Sequence, residues 1–372
     1  IGAILAHSTA PGVADRVAGW QRIHQKGKAL LLALNHINPR EPWSSGVDSL
    51  PKYAAELYQN MPQNAGVELV ATRAGGLLLS TELASIKRST QDWTLAVQAR
   101  TTQLTHRGIA LLMSGLTHEY AVLAKLTHRG RRSTQTVELG RVDTAVGGFT
   151  QAALQFGYQF TGRLSGDIFA RYNDQTLDSS YFRVLGTRDS AGVDLDYTLS
   201  ARDSVSLRAQ GLRYQSHWND FLGTGWSIDT NFRRALKVGQ SYEVDAYTGL
   251  SYVHNNLVRT LPLRVAARLP TGSGPTTLLA PNFGFAGVGL ALSRGMPGTD
   301  YPTVGGLRYH ADLGLGYVWP DDRIGVAFTG SVGHRILGSD ELSAFFHFDQ
   351  TQNETGGTNL MVGVQYRYFL GK

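Results

Sequence analysis

Leu360-Met361-Val362-Gly363-Val364-Gln365-Tyr366-Arg367-Tyr368-Phe369 decides how the rest of the chain is read. Side chains alternate across a strand with period 2. Leu360, Val362, Val364, Tyr366 and Tyr368 therefore share one face, and Met361, Gly363, Gln365, Arg367 and Phe369 share the other. The first face is apolar and ends in two aromatics. The second mixes polar, charged and small residues. A water-soluble sheet would bury the apolar face under a second layer. This chain supplies almost no helix for that layer, but many more strands of the same kind. The combination predicts an all-β transmembrane barrel of the outer-membrane type, antiparallel, with its apolar face toward lipid and its polar face toward an aqueous lumen.

The same alternation recurs upstream from Gly66 onward. Trp93, Leu95, Val97 and Ala99 alternate with Thr94, Ala96, Gln98 and Arg100, and Leu154, Phe156, Tyr158 and Phe160 with Ala153, Gln155, Gly157 and Gln159. Val193, Leu195 and Tyr197 oppose Asp194, Asp196 and Thr198. Leu313, Leu315 and Tyr317 oppose Asp312, Gly314 and Gly316. A soluble sandwich predicts strands of about 5–6 residues. These run to about 10 or more with aromatics near their ends, as a bilayer selects. Short turns at Thr161-Gly162, Ala201-Arg202-Asp203, Lys237-Val238-Gly239 and Leu337-Gly338-Ser339 alternate with longer connections near 173–189, 216–223, 255–282 and 351–356. With both barrel ends in the periplasm, counting back gives about sixteen strands, the first near Leu77. Two connections break the rhythm. Pro320-Asp321-Asp322 is short where a loop is expected, and 295–305 is long where a turn is expected, so fourteen or eighteen strands also fit.

Composition agrees with this class. The chain has 372 residues, no cysteine, 43 glycines and only 17% charged residues. No run of about 18 apolar residues is present, which excludes a helical span but not a barrel. The absence of cysteine removes disulfide and thiolate chemistry. The charge of +6 suits anionic lipid headgroups or lipopolysaccharide, and equally a plain solubility surplus. It gives no support for a nucleic-acid partner. The chain starts at Ile1 without a charged stretch and apolar core, which reads as a mature protein or a piece of a longer one.

Residues 1–64 differ from the rest. Val13, Val17, Trp20 and Ile23 fall at helical spacing. A second short helix begins near Ser49 and ends before Met61-Pro62. This predicts a periplasmic helical lead-in over 1–64, readable as the end of a helical-repeat region, ahead of a barrel over 65–372.

The inward-facing set carries the functional information. The phasing sends Asp167, Asp194, Asp196, Asp229, Glu243, Asp245, Asp312 and Asp349 to the lumen, with Arg100, Arg163, Arg171, Arg208, Arg233, Arg308, Arg323 and Arg367. An Arg or Lys facing lipid at mid-bilayer costs about 2–4 kcal/mol, so these groups face water or one another. They either hold a polar or charged passenger or brace the barrel by pairing across it. The connection from Asn255 to Asn282 holds Leu257, Leu261, Leu263, Val265, Leu269, Leu278 and Leu279, too apolar for a free loop of this length. It is expected either to enter the mouth and constrict it or to pack over the rim. No Gly-x-Ser-x-Gly elbow, His-Glu-x-x-His or phosphate loop is present, and the eleven histidines show no metal-ligand spacing. The reading is therefore a channel rather than an enzyme, with no metal and no cofactor. His118-Glu119 is the nearest thing to a hydrolase fragment. Arg129-Gly130-Arg131-Arg132 is the strongest basic cluster, a solvated turn or one that meets phosphates at a membrane surface.

Gly363-Val364-Gln365-Tyr366-Arg367-Tyr368 resembles the outer-membrane assembly signal, with Gly363, Tyr366 and Tyr368 at its key positions; Leu370-Gly371-Lys372 then follow where the signal has a closing aromatic. The resemblance implies handling by the outer-membrane barrel assembly machinery. A helical lead-in followed directly by a barrel of about sixteen strands resembles the exopolysaccharide-export porins of biofilm systems. The Pel porins are nearest, with the poly-N-acetylglucosamine and cellulose porins as relatives, and in these porins periplasmic tetratricopeptide repeats precede the barrel. That resemblance implies residence in a Gram-negative outer membrane, a polysaccharide passenger and periplasmic partners of a secretion complex. Acidic Asp194, Asp196, Glu243 and Asp245 suit a partly cationic amino-sugar polymer, against a near-balance of arginines. A general or solute-selective diffusion porin is the alternative.

Overall fold

A computed structural model describes residues 63–370, apart from 75–76, 91, 107–117, 145, 177, 239–241, 295–296, 298–305, 337–339 and 351–357. Sixteen strands form one closed antiparallel barrel, each paired with its sequence neighbours. They are β1 (Gln63–Ala74), β2 (Leu77–Ser89), β3 (Trp93–His106), β4 (His118–Arg129), β5 (Ser133–Thr144), β6 (Gly147–Gln159), β7 (Leu164–Asp174) and β8 (Gly186–Thr198). Then come β9 (Asp203–Ser216), β10 (Phe221–Val238), β11 (Glu243–Leu257), β12 (Asn282–Arg294), β13 (Arg308–Trp319), β14 (Arg323–His334), β15 (Asp340–Asp349) and β16 (Asn359–Leu370). Strand lengths run from 10 to 18 residues, as a tilted crossing of a bilayer requires. β1 meets β16 through Gln63 and Leu370, so no edge is left with open backbone groups.

The first strand is Gln63–Ala74, and Leu77 opens the second. The sequence joins them by Gly75-Gly76, a two-residue hairpin connection that the counting by long loops passes over. Of the helical lead-in expected over 1–64, residues 1–62 lie outside the described residues, and Gln63 and Asn64 belong to β1. The two irregular connections stand as the sequence has them. Residues 320–322 link β13 to β14 tightly, and 295–307 form a long link between β12 and β13.

Alternation sets the two faces. Leu95, Val97, Leu154, Ile168, Leu195, Leu313, Leu315, Val362 and Val364 are exposed on the outside. On the opposite face of the same strands, Thr94, Arg100, Thr102, Asp312, Met361 and Gln365 are buried inside the ring. Aromatics mark both ends of the outer wall. Trp93, Tyr158, Phe160 and Tyr197 lie toward one end and Tyr120, Tyr172, Trp226 and Tyr317 toward the other, all exposed. The connections 90–92, 130–132, 160–163 and 199–202 share the first of these ends. The links 107–117, 175–185 and 258–281 share the second.

Helix is scarce among the described residues. α1 (Ser180–Leu185) lies between β7 and β8, and α2 (Leu263–Ala266) with a 3-10 turn (Pro275–Thr277) lies between β11 and β12. Both connections belong to the long-loop end, and both turn inward.

Candidate functional site: a filled mouth and a charged inner wall

The largest buried apolar cluster is not a layer under a sheet. It joins Leu79 of β2 and Leu104 of β3 with Phe182, Val184 and Leu185 of α1 and its junction to β8, and with Leu212, Tyr214, Leu222 and Val253 of β9–β11. Leu261, Val265, Leu269, Leu278 and Leu279 of the β11–β12 connection complete it. In a ring of sixteen, β2 and β10 stand eight places apart, on opposite sides. The cluster therefore crosses the barrel from wall to wall at the long-loop end. Each fully buried leucine contributes about 1.5–3 kcal/mol of transfer free energy, so the plug is held firmly. The proline- and leucine-rich segment reads from sequence as a loop that enters the mouth or lies over the rim. Leu261, Leu269, Leu278 and Leu279 lie buried inside the ring, while Leu263 is exposed.

One serine ties the two plug segments together. Ser179 caps α1 by accepting from the Phe182 amide at 3.0 Å, and its hydroxyl donates to the Leu278 carbonyl at 2.5 Å. A polar latch then fixes α1 to the wall. Arg183 donates to Glu119 of β4 through both terminal nitrogens, at 2.7 and 2.6 Å, and both side chains are buried. Arg100 of β3 donates to Gln175 at 2.9 Å, Gln175 donates to Glu119 at 3.2 Å, and Gln151 of β6 donates to Asp174 at 3.0 Å. Arg188, fully buried, lies 3.2 Å from Asp178. His217, in the β9–β10 turn, stacks at a tilt on Phe149 at 4.9 Å and its Nε2 lies 3.2 Å from the Gly186 carbonyl. Its Nδ1 is enclosed with no hydrogen-bond partner among the described residues. Burial pushes this imidazole down to about 4, against the pull of Glu119.

Below the plug the inner wall is charged and largely paired. Asp167, Asp194, Arg208 and Asp229 sit abreast on β7–β10. Arg208 grips Asp194 at 2.5 and 2.7 Å, and Ser251 donates to Asp229 at 2.5 Å. Phe169 lies under both Arg171 and Arg208, at 5.5 and 5.7 Å from its ring centre, and Arg171 comes within 3.7 Å of Asp174. Arg233 pairs with Asp245, and the Tyr247 hydroxyl donates to Asp312. Tyr247 reaches β13 from β11 by crossing β12 at Gly289, where a Cβ would collide with its ring. Arg308 pairs with Glu341, both buried, and Arg367 faces Glu341 across the β15–β16 ladder. Asp349 lies 3.8 Å from His347 and is itself buried, and Arg323 contacts Asp321 at 3.2 Å and the Gln350 carbonyl. Asp196 is exposed on the inner side, one step nearer the turn than Asp194, and Glu243 is half-buried.

Arg163 differs from the expected strand position. It lies exposed in the β6–β7 turn, because Thr161 accepts from the Arg163 and Leu164 amides and β7 starts only at Leu164. His118 and Glu119 point to opposite faces of β4, exposed and buried, so they share no site. Phe345 covers Gly363, where a Cβ would meet the ring. The latch residues Glu119, Gln175 and Arg183 carry no motif. Their one sequence signal is a set of charges in or beside a long connection that also holds apolar residues.

The family comparison decides the class. Residues 59–369 match the family described as "PelB, C-terminal beta barrel domain". The chain belongs to the PelB C-terminal barrel family. It is an outer-membrane β-barrel of a Gram-negative envelope, as the sequence reading expected. Among solved structures, "Bacterial polysaccharide outer membrane secretin" is similar with a TM-score of 0.62 and 9% identity, over 84% of this chain and 100% of that one. At that identity the likeness shows the shared fold. CdiB from Acinetobacter baumannii has a TM-score of 0.43 and 9% identity, over 83% of this chain and 60% of that one. OccAB2 of the same organism has a TM-score of 0.37 and 10% identity, over 83% and 98%. No curated protein sequence matches the chain.

Proposed function

We propose that this PelB-family barrel exports a biofilm polysaccharide, an amino-sugar polymer such as Pel, through its interior, and that α1 with residues 258–281 closes it at rest. Family membership and the printed name of the similar secretin support the polysaccharide. The observation that carries the closure is the apolar cluster running from β2 to β10 across the ring. No catalytic step is assigned to it. The inner wall offers a polymer carboxylate and guanidinium groups, with Phe169 as a flat surface beside Arg171 and Arg208. Of the acidic positions expected to favour a cationic sugar, Asp194 and Asp245 are held by arginines, whereas Asp196 and Glu243 are the more accessible. Periplasmic secretion-complex proteins that deliver the polymer, and a tetratricopeptide-repeat region ahead of the barrel, belong to this proposal as well.

Single-channel conductance in planar bilayers tests it. The intact protein is expected to conduct poorly, and a variant lacking 258–278 to conduct steadily and be blocked by soluble amino-sugar oligomers but not by neutral glucans. Block by neither would favour a diffusion porin. Equal conductance with and without 258–278 would remove the closure.

A further inference from the structure

The short-turn rim of the barrel is strongly basic. Arg88, Arg131, Arg132, Arg163, Arg202, Arg234 and Lys237 are all exposed there. Asp92 is the exposed carboxylate opposing them among the described residues at this rim. Asp203 is partly buried and lies 3.5 Å from Arg234, and exposed Asp196 points to the inner face. Three of these bases are on the outer wall itself. Arg88 shares the outward face of β2 with exposed Ile86. Arg234 and Lys237 lie beside Ala246 and Val244 in the β10–β11 ladder, on the face that Tyr242 extends. Lys237 sits over the Tyr242 ring at 4.9 Å. The same rim carries Trp93, Tyr158, Phe160 and Tyr197, exposed at the level where amphipathic rings meet headgroups.

We infer that this rim is a binding belt for anionic phospholipid headgroups, such as phosphatidylglycerol, in the leaflet that faces the periplasm. Outer-membrane barrels keep their short turns on that side. Guanidinium groups present paired donors to phosphate oxygens, and the aromatic belt sets the depth at which those phosphates lie. The outer-wall bases choose lipid over a docked protein. A partner seated on the barrel end reads turn residues such as Arg131 and Arg132. Arg88, Arg234 and Lys237 face sideways, into the headgroup layer.

The test is lipid retention on the purified full chain, measured by native mass spectrometry from micelles of mixed phosphatidylglycerol and phosphatidylethanolamine. Wild type is expected to keep phosphatidylglycerol selectively, and 0.5 M salt to weaken that selectivity. Each outer-wall base neutralised, in R88Q, R234Q and K237Q, is expected to lower the selectivity about fivefold at low salt. Retained heat-modifiable mobility on gels shows that the variants fold. Equal retention of the two lipids by wild type overturns the belt. So does selectivity lost in R131Q/R132Q while the R88Q/R234Q/K237Q triple variant is unchanged, which would make the rim a face for an acidic protein. Displacement of the lipid by inorganic phosphate alone would reduce the belt to a phosphate site and also overturn it.

Discussion

Glu119 of β4 and Arg183 of α1, 64 residues apart in sequence, form a two-pronged ion pair at 2.7 and 2.6 Å, closed off from solvent. Removing one partner leaves the other charged and buried, which costs about 3–5 kcal/mol. E119Q and R183Q are each expected to free α1 from the wall and raise conductance, and E119Q is expected in addition to expose Arg183 to trypsin. The swap E119R/R183E should restore much of the wild-type behaviour. Cleavage and conductance of E119Q equal to wild type would mean the pair does not hold the plug.

The plug should also answer to apolar contact. Leu278 is 2% exposed and Leu263, in the same connection, is 88% exposed. L278D places an unpaired carboxylate in the cluster that crosses the barrel and is expected to open the channel. L263D should leave conductance unchanged. Matching conductance traces for the two variants would contradict a plug built on that cluster.

Acid should loosen the mouth through His217. Its imidazole is held down to about 4 by burial, below the value of about 6.5 it takes in water. Above that ordinary value both docked and released states are neutral, and pH has no effect. As pH falls from about 6.5 to about 4, only the released state binds the proton, so docking weakens by up to about 3 kcal/mol. Conductance is expected to rise over this window on acidification. H217Q should flatten the profile, and an unchanged profile in H217Q would assign the effect elsewhere.

Tyr247 and Gly289 make a separable test of the wall. G289A forces the Tyr247 ring off its path to Asp312 and is expected to cost about 1–3 kcal/mol in urea unfolding. Y247F removes the hydroxyl alone, about 1 kcal/mol. With the ring gone, in Y247A/G289A, the alanine at 289 should cost less than it does beside Tyr247, leaving only its close approach to the Leu313 carbonyl. Additive losses would mean that the clash at 289 is not with Tyr247.

Much of the architecture was legible because a barrel strand is a local pattern. Leu195 against Asp194, or Val364 against Gln365, tells inside from outside within two residues. The apolar content of 255–282 gave the loop a place among two, mouth or rim. Arg163 went astray because one hydroxyl, that of Thr161, ends the strand by capping two amides, and alternation does not register such a turn. Glu119 stayed hidden because its partner sits in another segment.

Sequence alone determined the class and which side chains of a strand share a face, since both follow from periodicity and from the cost of a charge in lipid, and it left the number of strands open between fourteen and eighteen. Tertiary structure alone decided which groups meet. Closure of the ring puts β2 opposite β10, and register lets Tyr247 span β12 to Asp312, 65 residues away. Such contacts depend on where distant strands align. No stretch of neighbouring residues encodes that alignment by itself.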